Sequence, residues 1–228
     1  MTHAPVELTL PFSGRWTVQN SPARRVPSHG TDLMGERYAI DFVGVDDRGR
    51  TASTRDWRTV LATEPPERYA GFGRPILAPA DGTVVVAADT EPDHAGRRSQ
   101  LALVPYMLGQ ASRVRRSVAA VAGNHVIVEL AAPGAFVALV HLRSGSVGVR
   151  PGDTVTAGQP LAECGNSGNS TEPHLHLQAM DSADIGAARG LPVVFRGYRE
   201  WVRGSRHPLD RPFGGIPLEG AIVEPLPR

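Results

Sequence analysis

Two histidines stand two residues apart in the segment PHLHLQAM (173–180), and their spacing suits metal chemistry. Side chains alternate between the two faces of a strand, so His174 and His176 should project from one face with Cα atoms about 6.5 Å apart. Leu175 and Leu177 would then point to the opposite face and anchor the strand in the core. The pair therefore predicts one histidine that binds a metal ion and a second that faces the water on that metal.

An aspartate inside an apolar run is the candidate carboxylate ligand. Asp41 lies in YAIDFVGV (38–45), directly between Ile40 and Phe42. A carboxylate buried among such neighbours is unfavourable without a partner. A metal ion would be one partner, and an arginine would be the other.

Three further histidines are candidates for the same centre: His29, His125 and His141. A zinc hydrolase needs three protein ligands and one open position for water. The loop VPSHGTDLMG (26–35) places His29 and Asp32 upstream of the apolar strand, on a segment flexible enough to reach it.

The elements that would position these residues are short β-strands. The chain has 25 glycines and 20 prolines, which separate short apolar runs and indicate many strands and turns. We expect residues 135–142 to pair with residues 123–130 across the turn AAPG. Alternation along residues 135–142 predicts Val137, Leu139 and His141 on one face. The other predicted strands are 38–45, 173–180 and 190–195, and residues 74–89 are predicted to hold a Pro/Gly turn followed by a valine-rich strand.

We predict one domain over residues 1–228. Its core would span about 28–180, with polar insertions at about 46–73 and 91–121 and a Pro/Gly-rich extension at about 196–228. The second insertion contains the best helix candidate, around residues 110–120.

Composition excludes several classes of function. The formal net charge is +1, which gives no field that favours nucleic acid, and the chain has no lysine, so any mechanism that needs a lysine amine is excluded. A single cysteine, Cys164, forms no intramolecular disulfide and is expected to be a small buried side chain. We see neither a signal peptide nor an apolar run of about 20 residues, so the sequence alone predicts no membrane span and a cytoplasmic location.

The ordered motifs resemble the M23 (lysostaphin/LytM/LasA-type) zinc metallopeptidase family. They are a His…Asp pair, a VHL strand and a final PHLHLQ. The segment VRPGDTVTAGQPLAECGNSGNSTEPHLHLQ (149–178) resembles the family's most characteristic stretch almost throughout, and APADGTVV (78–85) and GNHVIVEL (123–130) resemble two of its strands. The resemblance implies a mainly β fold, with an antiparallel sheet and a duplicated (barrel-sandwich) hybrid motif carrying loop or helical insertions.

The resemblance also implies the site residues. One Zn²⁺ would be bound by His29, Asp41 and His176, and His141 and His174 would be the catalytic pair. Most members have the first histidine four residues before the aspartate, where this chain has Arg37, whereas His29 stands twelve residues before it (41 − 29). Asp32 is therefore an alternative ligand.

Glu172 is a second departure, because the family commonly has glycine before the proline of this motif. It would add a carboxylate near the site and could alter substrate fit or metal affinity.

The implied function is a zinc metalloendopeptidase that hydrolyses peptidoglycan stem or cross-bridge peptides by a zinc-activated water assisted by two histidines. The alternative is a degenerate M23-like binding or regulatory module. A biotin or lipoate carrier would need the missing lysine, and a glucose-type IIA phosphocarrier leaves His-x-His unexplained. The family function would place the protein outside the cytoplasm, against the location that the sequence alone predicts; the oligomeric state stays open.

Overall fold

A computed structural model describes residues 4–99, 118–131, 134–205 and 207–227. The helices are short: α1 (Trp57–Leu61), α2 (Val118–Ala122) and the 3-10 helices Leu33–Tyr38 and Pro66–Arg68. The strands are β1 (Val6–Thr9), β2 (Trp16–Gln19), β3 (Ile40–Gly44), β4 (Pro75–Leu77), β5 (Gly82–Ala88), β6 (Asn124–Leu130), β7 (Phe136–Leu142), β8 (Thr154–Val155), β9 (Pro160–Glu163), β10 (Leu175–Met180), β11 (Gly190–Leu191), β12 (Val193–Arg196), β13 (Tyr198–Trp201), β14 (Leu209–Arg211) and β15 (Ile222–Pro225).

The described strands form one large antiparallel sheet and two small ones. Eleven of them belong to the large sheet, in the order β14-β13-β15-β2-β3-β10-β7-β6-β5-β8, with β11 beside β10. The pairs β4-β9 and β1-β12 are separate, and only the latter is parallel among the described pairs. The mainly β, antiparallel architecture predicted from the sequence is confirmed.

The centre of the large sheet aligns the polar residues in one row. His176 on β10 lies opposite Asp41 on β3 and, on its other side, opposite Val140 on β7. Val140 in turn lies opposite His125 on β6. Because directly opposite residues share a face of the sheet, this register places the candidate ligands side by side.

The opposite face of the same strands is the hydrophobic core. Leu175, Leu177 and Phe42 are fully buried there, together with Leu139 and Val126. The prediction that the two leucines anchor the histidine strand is therefore confirmed. A smaller apolar cluster covers the face that carries the histidines.

Both ends of the chain join the large sheet. β15 pairs with β2 on one side and with β13 on the other, so the sheet extends beyond residues 28–180. These strands have three or four residues each, which is too short for a visible alternation in sequence. The helix expected around residues 110–120 falls mainly outside the described residues; α2 is what the structure describes of it.

The two insertions contact each other through a buried carboxylate. Glu64 is fully buried and accepts hydrogen bonds from Arg98 Nε (2.7 Å) and Nη2 (2.6 Å). These bonds hold the pKa of Glu64 below its ordinary value. A backbone bridge between Glu64 and Gly96 completes the contact. None of the helices in the described part of the chain has the length and apolar character needed to cross a membrane.

Candidate metal centre

The side chains of His29, Asp41 and His176 come from three separate segments and converge beside strands β3 and β10. His176 Nδ1 lies 2.9 Å from Asp41 Oδ1, and His29 Nε2 lies 3.1 Å from Asp41 Oδ2. Their three ligand atoms all lie within 4.8 Å of one another. Two ligands about 2.0–2.1 Å from a tetrahedral zinc ion are about 3.3 Å apart, so small movements would admit the ion.

A closed loop brings His29 to Asp41 despite the twelve-residue spacing. The Ser28 backbone N–H donates to the Arg37 carbonyl oxygen (3.0 Å), which closes the loop at its base. The intervening 3-10 helix takes up the extra residues. Asp32, the alternative ligand, has a largely exposed side chain and pairs with Arg37 Nη1 (2.6 Å), outside the cluster. The structure thus brings His29, and not Asp32, to the centre.

Hydrogen bonds on the far side of each imidazole determine which nitrogen faces the centre. His29 Nδ1 lies 3.1 Å from Ser28 Oγ, whose own proton is donated to the Glu36 carbonyl (3.1 Å). His29 Nδ1 therefore carries the hydrogen and Nε2 presents its lone pair. His176 has the reverse arrangement, because its Nε2 donates to Gln178 Oε1 (2.9 Å) and its Nδ1 faces Asp41.

The electrostatics of the cluster favour an ionised Asp41 next to a protonated His176. Burial raises the pKa of Asp41, but the charges of His174 and His29 and the hydrogen bond from His176 hold it well below its ordinary value. Burial has the opposite effect on His176 and lowers its pKa. The hydrogen bond and charge of Asp41 outweigh burial and raise the pKa of His176 to about 9. A proton on His176 and a cation at the centre therefore compete for one nitrogen.

His141 reaches the centre through a β-bulge, and the predicted face for this residue is wrong. Strict alternation would place His141 with Val137 and Leu139, which are in the core. In the structure, Leu142 pairs with Asn124 and Val140 pairs with His125, so His141 is the extra residue of the bulge. Its φ of 65° turns its side chain to the histidine face.

The two remaining histidines lie beside the ligand cluster. The His141 ring centroid is 4.8 Å from that of His174 and 6.0 Å from that of His176. His141 Nδ1 donates to the Ser167 carbonyl (2.9 Å), and His174 Nδ1 donates to the Glu172 carbonyl (2.8 Å). Both rings therefore present Nε2 to the centre, and His174 Nε2 lies 3.7 Å from Asp41 Oδ1.

Burial and neighbouring charges keep His141 neutral. Burial is the main cause, and the positive charges of His174 and His176 add to it, so the pKa of His141 lies well below its ordinary value. A neutral imidazole whose Nδ1–H is held by a carbonyl has a free lone pair at Nε2. His141 is thus neutral near pH 7, with an unprotonated Nε2.

Two supporting residues, Asn20 and Gln178, were not identified from the sequence. Asn20 Nδ2 donates to Asp41 Oδ2 (2.8 Å), and no sequence signal links these two residues. Gln178 could have been found, because it follows His174 and His176 at the same two-residue spacing. Glu172 contributes its carbonyl to His174, while burial raises the pKa of its side chain. His125 stays outside the ligand cluster, with Nδ1 bonded to the Gly123 carbonyl (2.8 Å).

The histidines open into a cleft of about 260 Å³. The lining includes the apolar side chains of Val121, Val140 and Ile185 and the polar side chains of Asn20, Glu36 and the imidazoles. A larger groove of about 610 Å³, between Phe12 and Arg196, shares no residue with this cleft. The candidate ligands and the two neighbouring histidines therefore line the smaller cavity.

Comparison with known proteins agrees with these features. The model of peptidase family M23 matches residues 108–191, which confirms the resemblance to that family. The matched segment contains His141, His174 and His176, whereas His29 and Asp41 precede it. A comparison with curated proteins gives no match.

Three solved structures have low similarity to the chain. The catalytic domain of lysostaphin from Staphylococcus simulans is 18% identical, over 78% of this chain and 88% of its own, with a TM-score of 0.39. A catalytic-domain mutant of the prophage-encoded M23 protein EnpA from Enterococcus faecalis is 17% identical, over 62% and 94%, with a TM-score of 0.35. A zinc-containing peptidase from Vibrio cholerae is 18% identical, over 68% and 47%, with a TM-score of 0.34.

Proposed function

On the premise that residues 108–191 are a segment of peptidase family M23, we propose that the protein is a zinc metalloendopeptidase that acts on peptidoglycan peptides. The observation that carries the proposal is the convergence of His29, Asp41 and His176 within 4.8 Å, with two further imidazoles beside them. Three nitrogen and oxygen ligands with one side open to a cleft are the donor set of a catalytic zinc site.

The ligand residues would hold one Zn²⁺ through His29 Nε2, the Asp41 carboxylate and His176 Nδ1. When bound, the ion would polarise the scissile carbonyl and lower the pKa of a water molecule. Asn20 supports this arrangement, because its hydrogen bond to Oδ2 helps to orient the carboxylate.

His141 is the proposed general base. The Ser167 carbonyl holds its Nδ1–H, so the lone pair on Nε2 points into the cleft, where it can accept a proton from the attacking water. Its lowered pKa keeps it in the neutral form that this step requires.

His174 is the residue proposed to stabilise the negative charge that develops on the oxyanion. Its Nδ1–H is held by the Glu172 carbonyl, which directs Nε2 to the same cleft. When His174 carries a second proton, Nε2–H can donate to the oxyanion and then protonate the leaving amine.

The proposed substrates are stem or cross-bridge peptides of peptidoglycan, as the family resemblance implies. The apolar side chains that line part of the cleft favour small aliphatic side chains next to the scissile bond. The protein would meet this substrate outside the cytoplasm.

A digestion of purified peptidoglycan tests the proposal. The protein should release peptide fragments that mass spectrometry identifies, and a chelator should stop their release. His176→Ala should abolish both zinc uptake and cleavage, whereas His141→Gln should retain zinc and lose about 10²–10⁴-fold in rate. His125→Gln, a buried histidine outside the cluster, is the matched control and should leave both unchanged.

Two outcomes would contradict the proposal. Stoichiometric zinc in His176→Ala would refute the ligand assignment. Zinc binding without any fragment from the unmodified protein would favour the binding or regulatory module instead.

A further inference from the structure

Gln178 is a buried amide between the candidate metal centre and the loop before β3. Its side chain is almost completely buried. Gln178 Nε2 donates to the Met34 carbonyl (2.7 Å) and contacts Met180 Sδ (2.8 Å), while Gln178 Oε1 accepts from His176 Nε2 (2.9 Å).

The Met34 carbonyl fixes the orientation of this amide. A flipped Gln178 would place Oε1 against the Met34 carbonyl oxygen, which brings two acceptors together and leaves the amide N–H groups without that partner. With the amide in the observed orientation, Gln178 offers only an acceptor to His176. When the ion takes the Nδ1 lone pair of the neutral ring, Gln178 therefore accepts the remaining ring hydrogen from Nε2.

The turn at Met34 and Gly35 maintains this contact. Met34 has φ 58° and Gly35 has φ 78°, so both residues are in the left-handed region. A Cβ atom on Gly35 would lie 2.8 Å from Gln178 Nε2 and 3.0 Å from Met180 Cγ. Only glycine leaves the amide in place there.

We propose that Gln178 is a positioning residue for the metal ion, because it holds His176 as the Nε2–H tautomer with the Nδ1 lone pair directed at the centre. The inference rests on the proposed zinc site. His29, His141 and His174 are held through Nδ1 and present Nε2, so His176 uses the opposite nitrogen. In the other tautomer, His176 would direct an N–H at the ion and could not bind it.

Zinc affinity of four purified proteins tests the inference, by competition with a chromophoric chelator at one pH. Gln178→Met keeps the shape but removes the acceptor, and should lower zinc affinity by about 10–100-fold. Gln178→Glu keeps an acceptor and should bind zinc at least about tenfold more tightly than Gln178→Met. Leu177→Val removes packing on the opposite face of the same strand and is the control, with unchanged affinity.

A tautomer measurement gives a second readout that packing alone would not change. In ¹H–¹⁵N correlation spectra of the zinc-loaded protein, the His176 hydrogen should be on Nε2, and the His29 hydrogen on Nδ1. A His176 hydrogen on Nδ1 would overturn the inference even if Gln178→Met fails to fold. Equal zinc affinity of Gln178→Met and the unmodified protein would also overturn it. If the unmodified protein takes up no zinc, the proposed function itself is refuted. Failure of the proposed function is therefore distinguishable from failure of the inference about Gln178.

Discussion

Binding of zinc should release a proton from His176, and the structure sets the size of the effect. The charge and hydrogen bond of Asp41 raise the pKa of His176 to about 9 despite its burial. With that pKa, the neutral fraction is about 3% at pH 7.5 and about 25% at pH 8.5. Since zinc binds the neutral ring, its apparent affinity should rise about eightfold over this interval, with about one proton released at pH 7.5.

Calorimetry in buffers of different ionisation enthalpy measures the released proton, and chelator competition at the two pH values measures the affinity. Asp41→Asn removes the cause of the raised pKa, so its remaining zinc affinity should vary little with pH. His125→Gln should retain the full pH dependence of the unmodified protein. An affinity that is equal at pH 7.5 and pH 8.5, with no proton released, would refute the reasoning.

Three further substitutions test the contact between the insertions and the packing behind and beside the centre. Arg98→Met leaves Glu64 buried without its main partner and should cost about 3 kcal/mol of unfolding free energy in urea denaturation. Leu175→Ala opens a cavity behind the histidine strand and should cost about 3 kcal/mol in the same assay. Gly35→Ala should displace Gln178 and lower zinc affinity in chelator competition, and an unchanged affinity would argue against the turn's role.

The sequence predicted the mainly β architecture from local periodicity, and the family resemblance supplied the candidate residues of the cluster. The two-residue spacing predicted that His174 and His176 share one face. In the structure both imidazoles lie near Asp41, although β10 begins one residue after His174. The aspartate between Ile40 and Phe42 was recognisable because an apolar strand rarely tolerates an unpartnered carboxylate.

Features that depend on contacts distant in sequence could not be predicted in this way. The bond from Asn20 to Asp41 arises because β2 happens to end beside β3. The loop that returns His29 to the centre depends on a backbone bond between Ser28 and Arg37, which has no signature in residue types. The left-handed backbone of His141 was missed because alternation assumes regular pairing.

At His141, regular pairing of β6 with β7 is incompatible with a side chain on the histidine face, because the bulge is what turns His141 to that face. Deleting His141 would restore continuous pairing of β6 and β7 and remove a non-glycine residue from left-handed backbone. A more regular and less strained sheet would then lack the proposed general base. A search for stabilising changes guided by strand geometry alone would thus select against the very residue that is proposed to move the proton.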